Sequence, residues 1–513
     1  MRSLEDSLKT VSRSSKRILH VRLPSWKIWP AGIVILADHL RKSGYADQHL
    51  LDLALVEASQ HRRELQRVIR AYSPDFIAFS WRNIQTFGPH DASPALETVL
   101  KYDFAPGLKD KVGSIYAASG MIFDHIRQIR RNLQLVTDAV KNSAGAQVVV
   151  GGPAFSTFPE VLIERLPAGV IGVIGEGERA LQRIVDGEDL SRDNVIFRQG
   201  DRIQRYFSNG FFDLSSAGAI DYDYIASIFP KFDEYTKGFI GVQTKRGCPY
   251  NCVFCVYNLL EGKKLRFKSP DAVAAELQQL NEHYGVNKIW FTDSQFCSTK
   301  ETVSHAEELL DQMIGRRLPV GWTGYIRVEN LSPAFAAKAL KSGILSFELS
   351  FSGSQKMVNE LRLGYDLSRQ IEQFQMIKDL GYQGQQIKLY LPLNAPGETR
   401  ETILETVEAC KKLYGIFGES NVVPWIFFLA IQPGTPLERL MIRSGYLKPD
   451  YNPLSYNPFA IKKLLYNPPP LGPLVGKAHL KAKGLSLGDS IGRQTLRELE
   501  RMFTAPAVSR RAV

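Results

Sequence analysis

Three cysteines, Cys248, Cys252 and Cys255, stand together as C-x-x-x-C-x-x-C in a chain of 513 residues. Thiolates this close in sequence can converge on one soft metal centre, and sulfur selects zinc, copper(I) or iron-sulfur clusters. A four-iron cluster takes four ligands, so three cysteines leave one iron open to a small molecule that offers amino and carboxylate groups. The spacing therefore points to chemistry as well as to a metal. A zinc knuckle and disulfides are the alternatives. Cys297 and Cys410 form no second close pair, so a structural zinc would need a distant fourth ligand.

The chain is too long for one ordinary core, and its length predicts roughly two to four domains. With 44% apolar and 23% charged residues it reads as soluble and globular. Five cysteines, three of them in one motif, point to a reducing compartment. Met1 to Arg17 is polar and basic without an apolar core, and Asn421 to Ile431 is too short to span a bilayer. The expectation is a cytoplasmic protein without a transmembrane segment. The net charge of +11 suits an anionic small-molecule substrate, but basic residues are scattered and no aromatic-interleaved stripe predicts nucleic-acid binding.

Before the cysteines, short apolar runs alternate with helical stretches. Strands are predicted at Ile18 to Leu23, His49 to Leu55, Asp75 to Ser80, Gln147 to Val150 and Gly169 to Ile174, with helices over Ala31 to Ser43 and Arg62 to Ala71. Repeated strand-helix units imply a parallel sheet covered on both faces, with ligands at the carboxyl ends of the strands. The loops at those ends read Ser80-Trp81-Arg82, Gly151-Gly152-Pro153 and Gly175-Glu176-Gly177-Glu178. Their glycines permit close backbone approach to a large flat ligand. The stretch from Leu100 to Val140, with a helix over Ile122 to Val140, is longer than an ordinary crossover.

From Phe239 onward six further strands are predicted, at 240–244, 288–292, 320–325, 345–351, 386–391 and 425–431, each accompanied by a helical stretch. The cysteines fall in the loop after the first of these, where barrel chemistry belongs. Beyond Leu437 the chain turns rich in Pro, Asn and Tyr, which predicts an extended arm and then a short helix over Gly492 to Phe503.

The cysteine spacing, with Phe254 before the third cysteine, resembles the signature of the radical S-adenosylmethionine (SAM) superfamily. The resemblance implies a [4Fe-4S] cluster on Cys248, Cys252 and Cys255 whose open iron chelates SAM, and one-electron cleavage to a 5'-deoxyadenosyl radical. It places Phe254 near the adenine, Asp293 and Ser294 at the amino group, and Pro-Gly turns at Asn394 to Thr399 and Gln432 to Leu437. Where relatives carry an acid after strand four this chain has Phe351; strand alternation sets Glu348 on the other face, which leaves Ser350 or Ser352 for the ribose. Arg327 and Glu329 follow strand three and are candidates to face the cavity.

The glycine loops ahead of this motif resemble the cobalamin-binding domain of the cobalamin-dependent radical SAM enzymes. The implied architecture is α/β: a flavodoxin- or Rossmann-like cobalamin-binding domain over residues 1–205, a linker over 206–236, a partial (β/α)6 TIM-type barrel over 237–437 and a C-terminal extension over 438–513. Many cobalamin domains carry D-x-H-x-x-G, but here His39 stands one residue off in a predicted helix, so no histidine ligand to cobalt is expected; Arg82, Asn83 and Gln85 are the candidates to approach it. The implied activity is methylation of an unactivated carbon of a small molecule, whether anionic, lipid-like or a tetrapyrrole, with a flavodoxin or ferredoxin as external electron donor. An oxidative tetrapyrrole cyclase or hydroxylase, and a non-enzymatic cobalamin or redox sensor, are the alternatives.

Overall fold

The computed structural model describes residues 15–82, 108–485 and 490–505. Five parallel strands come first: β1 (Ile18–Arg22), β2 (Gln48–Asp52), β3 (Phe76–Ser80), β4 (Gln147–Gly151) and β5 (Ile171–Val173). They lie in the order β2-β1-β3-β4-β5, the doubly wound arrangement in which the reversal of strand order opens a crevice at the carboxyl ends. Helix α1 (Ala31–Lys42) and, on the other face, α2 (His61–Tyr72) and α3 (Leu108–Asn142) cover the sheet. Leu65, Ile69, Val136 and Ala139 pack on Leu19, Val21 and Phe79. On the opposite face Leu40 joins Leu181 and Val185 against Ile18, Ala78 and Val149. The burial of all of β1 follows from this double cover.

The structure adds to the sequence-based expectations and corrects some of them. Strands β6 (Val195–Gln199) and β7 (Arg202–Arg205) extend the sheet antiparallel beyond β5; their Arg and Gln residues mask the apolar pattern. The helix expected over Ile122 to Val140 is the end of the 35-residue α3. The segment expected to be a linker is folded, with a short helix at Tyr222–Ile228. Its Tyr222, Phe229, Phe232 and Tyr235 share one core with Trp29, Ile33 and Val34 of the first unit and with Ile240 and Val242 of the second. Trp29 meets Phe232 edge-on at 5.4 Å and Tyr235 at 5.6 Å. Arg22 pairs with Asp52 at 3.0 Å, and Tyr235 donates to the same carboxylate at 2.6 Å. A packed aromatic wedge, not a flexible tether, joins the two sheets.

The second half opens with β8 (Ile240–Val242), followed by a two-stranded hairpin of β9 (Lys245–Arg246) and β10 (Arg266–Phe267). With β8, the second sheet contains β11 (Lys288–Phe291), β12 (Gly321–Tyr325), β13 (Ile344–Ser350), β14 (Gln386–Pro392) and β15 (Val422–Phe427). These six are parallel and adjacent in sequence order, and β8 and β15 do not pair, so the barrel is open. The last strand begins at Val422, three residues earlier than the sequence suggests. Aliphatic and aromatic side chains such as Ile289, Phe347, Leu389 and Ile426 face the helical layer. The C-terminal extension also departs from expectation. Its arm clasps the first unit, with Leu454 in that core and Arg165 over the Tyr456 ring at 5.0 Å. A helix then runs over Leu471–Leu485, where the prolines predict extended chain, followed by a second at Ile491–Thr504. Among the described residues no helix is long and apolar enough to cross a membrane.

Candidate active site

The cysteines lie in the loop that the β9–β10 hairpin closes, just ahead of the short helix Tyr257–Leu260. Gly247 starts the loop at φ +89°, and a Cβ there would stand 2.1 Å from the Lys264 carbonyl oxygen, so only glycine fits. Cys248 N–H donates to Gly262 O at 3.1 Å and Cys255 N–H to Cys252 O at 3.1 Å. Distant strand ends brace the middle of the loop. Val253 N–H donates to Leu361 O at 3.1 Å, and Leu437 N–H donates to Val253 O at 2.8 Å. Through the second of these contacts the Pro-Gly-Thr-Pro-Leu turn holds the cysteine loop. The Asn394 to Thr399 turn serves geometry as well, since Thr399 caps the helix Arg400–Phe417 and the half-buried Glu398 accepts from Ala395 N–H at 3.1 Å.

All five cysteines are free thiols. Burial pushes the Cys252 thiol up to about 11, against the charge of Arg327, and the Cys255 thiol up to about 12. Coordination, not a basic neighbour, is what would make thiolates here. Among the described residues no three His, Cys, Asp or Glu side chains converge as closely as a single ion requires.

Asp293 is fully buried, and its carboxylate accepts from Thr244 N–H at 2.8 Å, the Thr244 hydroxyl at 2.5 Å and Lys245 N–H at 3.1 Å. It braces the start of the cysteine loop, as does Ser294, which donates to Gly247 O at 3.3 Å. Phe254 meets Phe427 edge-on at 6.1 Å. Ser352 is buried, with its N–H on the Tyr365 hydroxyl at 2.8 Å. Arg327 and Glu329 are buried against the loop.

Glu348 requires a correction. It shares the inner face of the sheet with Ser350, while Phe347, Leu349 and Phe351 point into the helical core. Its carboxylate accepts from Lys388 at 2.8 Å, Ser346 at 2.7 Å and Tyr390 at 2.6 Å. Around it the inner face is aromatic: Trp290 and Tyr325 meet at 5.6 Å, and Tyr325 and Tyr390 at 5.7 Å. Barrel interiors are ordinarily filled by branched aliphatics, whereas this lining is polar and half-exposed. Lys388 and Tyr390 are absent from the sequence-based candidates, although the alternation in Lys388-Leu389-Tyr390-Leu391 carries the signal.

The amino-terminal loops approach from the first sheet. Gly152 has φ +95°, and a Cβ there would stand 2.8 Å from Trp81 O and 3.2 Å from the Ser80 hydroxyl. Trp81 N–H donates to Gly151 O at 2.9 Å, and Pro153 opens the helix Pro153–Thr157. The Trp81 ring lies in the core, so this loop can offer backbone, Ser80 and Arg82 to a ligand, but not the indole. Gly175 N–H donates to the Ser156 hydroxyl at 2.8 Å, and Gly177 packs on Leu36. Arg82 reaches Trp29 O at 3.5 Å, whereas Asn83 and Gln85 lie outside the described residues. His39 is a helix residue bonded to Gln182 at 2.9 Å.

The two units lock together here. Arg246, beside the cysteine loop, bonds the Glu178 carboxylate and lies 3.4 Å from Glu176. Arg266 donates to both oxygens of Glu176, at 2.6 and 2.8 Å, and to Phe212 O at 3.1 Å. Burial opposes the charge of Glu178, but Arg246 outweighs it and holds the carboxyl below its usual range. Glu176 and Glu178 therefore spend their side chains on the interface, and the carboxyl ends of both sheets face one another.

Residues 242–410 match the radical SAM superfamily. An uncharacterized methyltransferase of Pyrococcus horikoshii is 27% identical over 275 residues, 52% of this chain and 58% of that protein. A bacteriochlorophyllide d C-8(2)-methyltransferase of Chlorobaculum tepidum is 24% identical, over 59% of this chain and 64% of its own length. Both matches thus span less than two thirds of the relative. Among solved structures, the radical SAM methyltransferase TsrM from Kitasatospora setae, with cobalamin and a [4Fe-4S] cluster bound, superposes with a TM-score of 0.64 at 18% identity, covering 84% of this chain and 75% of that one. Residues 242–410 form a radical SAM domain, and the chain has the fold of the cobalamin-dependent radical SAM enzymes.

Proposed function

We propose that the protein is a cobalamin-dependent radical SAM methyltransferase that methylates a carbon of a small molecule. The observation that carries this reading is the Arg246 and Arg266 clamp, which joins the cysteine loop to the Gly175 to Glu178 loop and so sets two cofactor-type loops face to face. The residues fit the cofactors: three free soft donors in a loop that only Gly247 can open, and a doubly wound sheet with backbone-rich loops at its carboxyl edge. When bound, the cluster on Cys248, Cys252 and Cys255 supplies an electron for reductive cleavage of SAM, and cobalamin supplies a methyl carrier.

The chain's own residues hold and shield. Asp293, Ser294, Leu361 and Leu437 fix the cysteine loop, and Phe254 offers an aromatic face for adenine beside Phe427. Ser350 shares the inner face with Glu348 and serves the ribose in this reading. Ser80, Arg82 and the backbone of Gly151, Gly152, Pro153, Gly175 and Gly177 border the cobalamin side. The aromatic wall of Trp290, Tyr325 and Tyr390 suits a substrate with an apolar ring system, and the Lys388 and Glu348 pair suits its polar substituents. An external one-electron donor of flavodoxin or ferredoxin type completes the cycle.

The test needs no substrate. Anaerobically reconstituted protein with reduced cobalamin, given SAM labelled at its methyl group, transfers label to the extracted corrinoid and yields deoxyadenosine under reduction. Deoxyadenosine without corrinoid labelling would exclude methyl transfer and leave a radical enzyme of the cyclase type.

A further inference from the structure

Against the cysteine loop stands a buried ion pair that the proposed reaction leaves unused. Arg327 is 8% exposed and Glu329 4%. Arg327 Nε donates to Glu329 Oε1 at 2.7 Å, and Nη1 donates to Leu363 O. The guanidinium carbon lies 3.9 Å from the centre of the Tyr250 ring and 5.7 Å from that of Tyr365. Tyr250 sits between Cys248 and Cys252 in sequence and is itself fixed, its hydroxyl donating to Ser298 O at 2.6 Å. Arg327 N–H meanwhile donates to Cys297 O at 3.1 Å, which anchors the turn that carries it.

A buried Arg-Glu pair is a poor way to hold a turn, because apolar residues of similar volume stabilise as well or better. This pair is also incompletely satisfied: among the described residues Glu329 Oε2 is buried without a hydrogen-bond partner. What the pair does supply is a charge of fixed position, oriented by Glu329 and pressed on the ring that forms part of the cysteine loop. In a low-dielectric site such a charge acts strongly on its neighbours.

We propose that Arg327, oriented by Glu329 and stacked on Tyr250, is the fixed positive charge that sets the reduction potential of the iron-sulfur cluster. The electron comes from the external one-electron donor, and the cluster gains one unit of negative charge. A cation beside it stabilises that reduced form, so the pair makes reduction easier without touching SAM or substrate. Arg327 is thus a positioning residue that acts through the cluster. The inference rests on the cluster reading of Cys248, Cys252 and Cys255.

The experiment is an EPR-monitored redox titration of the reconstituted holoenzyme, with iron and sulfide content measured first so that loss of the cluster is separated from a change in its potential. R327Q is expected to lower the reduced-to-oxidised ratio at the wild-type midpoint about tenfold, ~59 mV for a one-electron couple. E329Q is expected to move it the opposite way, and R327K to stay near wild type. Should R327Q fail to assemble a cluster, the other two variants carry the test. Equal midpoints in wild type, R327Q and E329Q overturn the proposal, as do shifts of the same sign in R327Q and E329Q or an R327K shift as large as that of R327Q.

Discussion

The two sheets present their carboxyl ends to one another but build those ends by different means. The barrel side holds a chemistry-bearing loop by bonds from outside it: Asp293 from the end of β11, Leu361 from beyond β13, Leu437 from beyond β15. The first sheet holds its loops on its own neighbouring elements, Gly152 against Trp81, Gly175 N–H on the Ser156 hydroxyl and Gly177 against Leu36 of α1. A loop that must place three thiols needs fixed side chains and a residue code. A loop that offers backbone to a broad ligand needs room and glycine. The charged clamp between Arg246, Arg266, Glu176 and Glu178 is where the two strategies meet.

Perturbing one side at a time should separate the two strategies. Replacement of Cys248, Cys252 or Cys255 by Ala has the greatest expected consequence: cluster assembly and deoxyadenosine formation are abolished while cobalamin binding persists, read by iron content, chromatography and the corrinoid absorption spectrum. Next comes the clamp. Removing the charge of Arg246 as R246M leaves Glu178 buried and unpaired, a loss of about 3–5 kcal/mol, and denaturant melts should show both cofactors lost together. At Gly152 the consequence is milder and one-sided. G152A forces a Cβ onto Trp81 O at positive φ, about 2 kcal/mol, and weakens cobalamin binding with the cluster intact.

The mildest change concerns the barrel side alone. Burial raises the Glu398 carboxyl to about 8, against hydrogen bonds from Ala395 and Asn394. Its ordinary value is about 4.3, so the folded state binds the proton more tightly than the unfolded chain between those limits. The contribution to stability is whole below about pH 4 and is lost as pH rises through about 8. E398Q should therefore melt about 2 °C above wild type at pH 8.5 and level with it near pH 5. Parallel melting curves across that range would contradict a geometric role for a neutral Glu398.

The strands and the cysteine loop are legible in the sequence because apolar periodicity and a short motif are local signals. The remainder is long-range. Tyr222, Phe229 and Phe232 read as a linker because nothing nearby in sequence says that Trp29 will pack on them. Strands β6 and β7 carry Arg and Gln because they lie at a sheet margin, which removes the apolar code. Counting alternation from Phe351 sets Glu348 on the wrong face, whereas parity with Ser350 places it inside. The position of Asp293 at the end of its strand is legible, yet the atoms its carboxylate meets depend on the return of Thr244 and Lys245.

The proposed function stands or falls on a single site between the two sheets. EPR of the holoenzyme carrying Co(II) cobalamin and the reduced cluster together reads this without intermediaries. Magnetic coupling that broadens both signals, and disappears in the Cys255→Ala protein, is the expected result. Two superimposable, uncoupled spectra, with both centres fully occupied, would contradict a shared site.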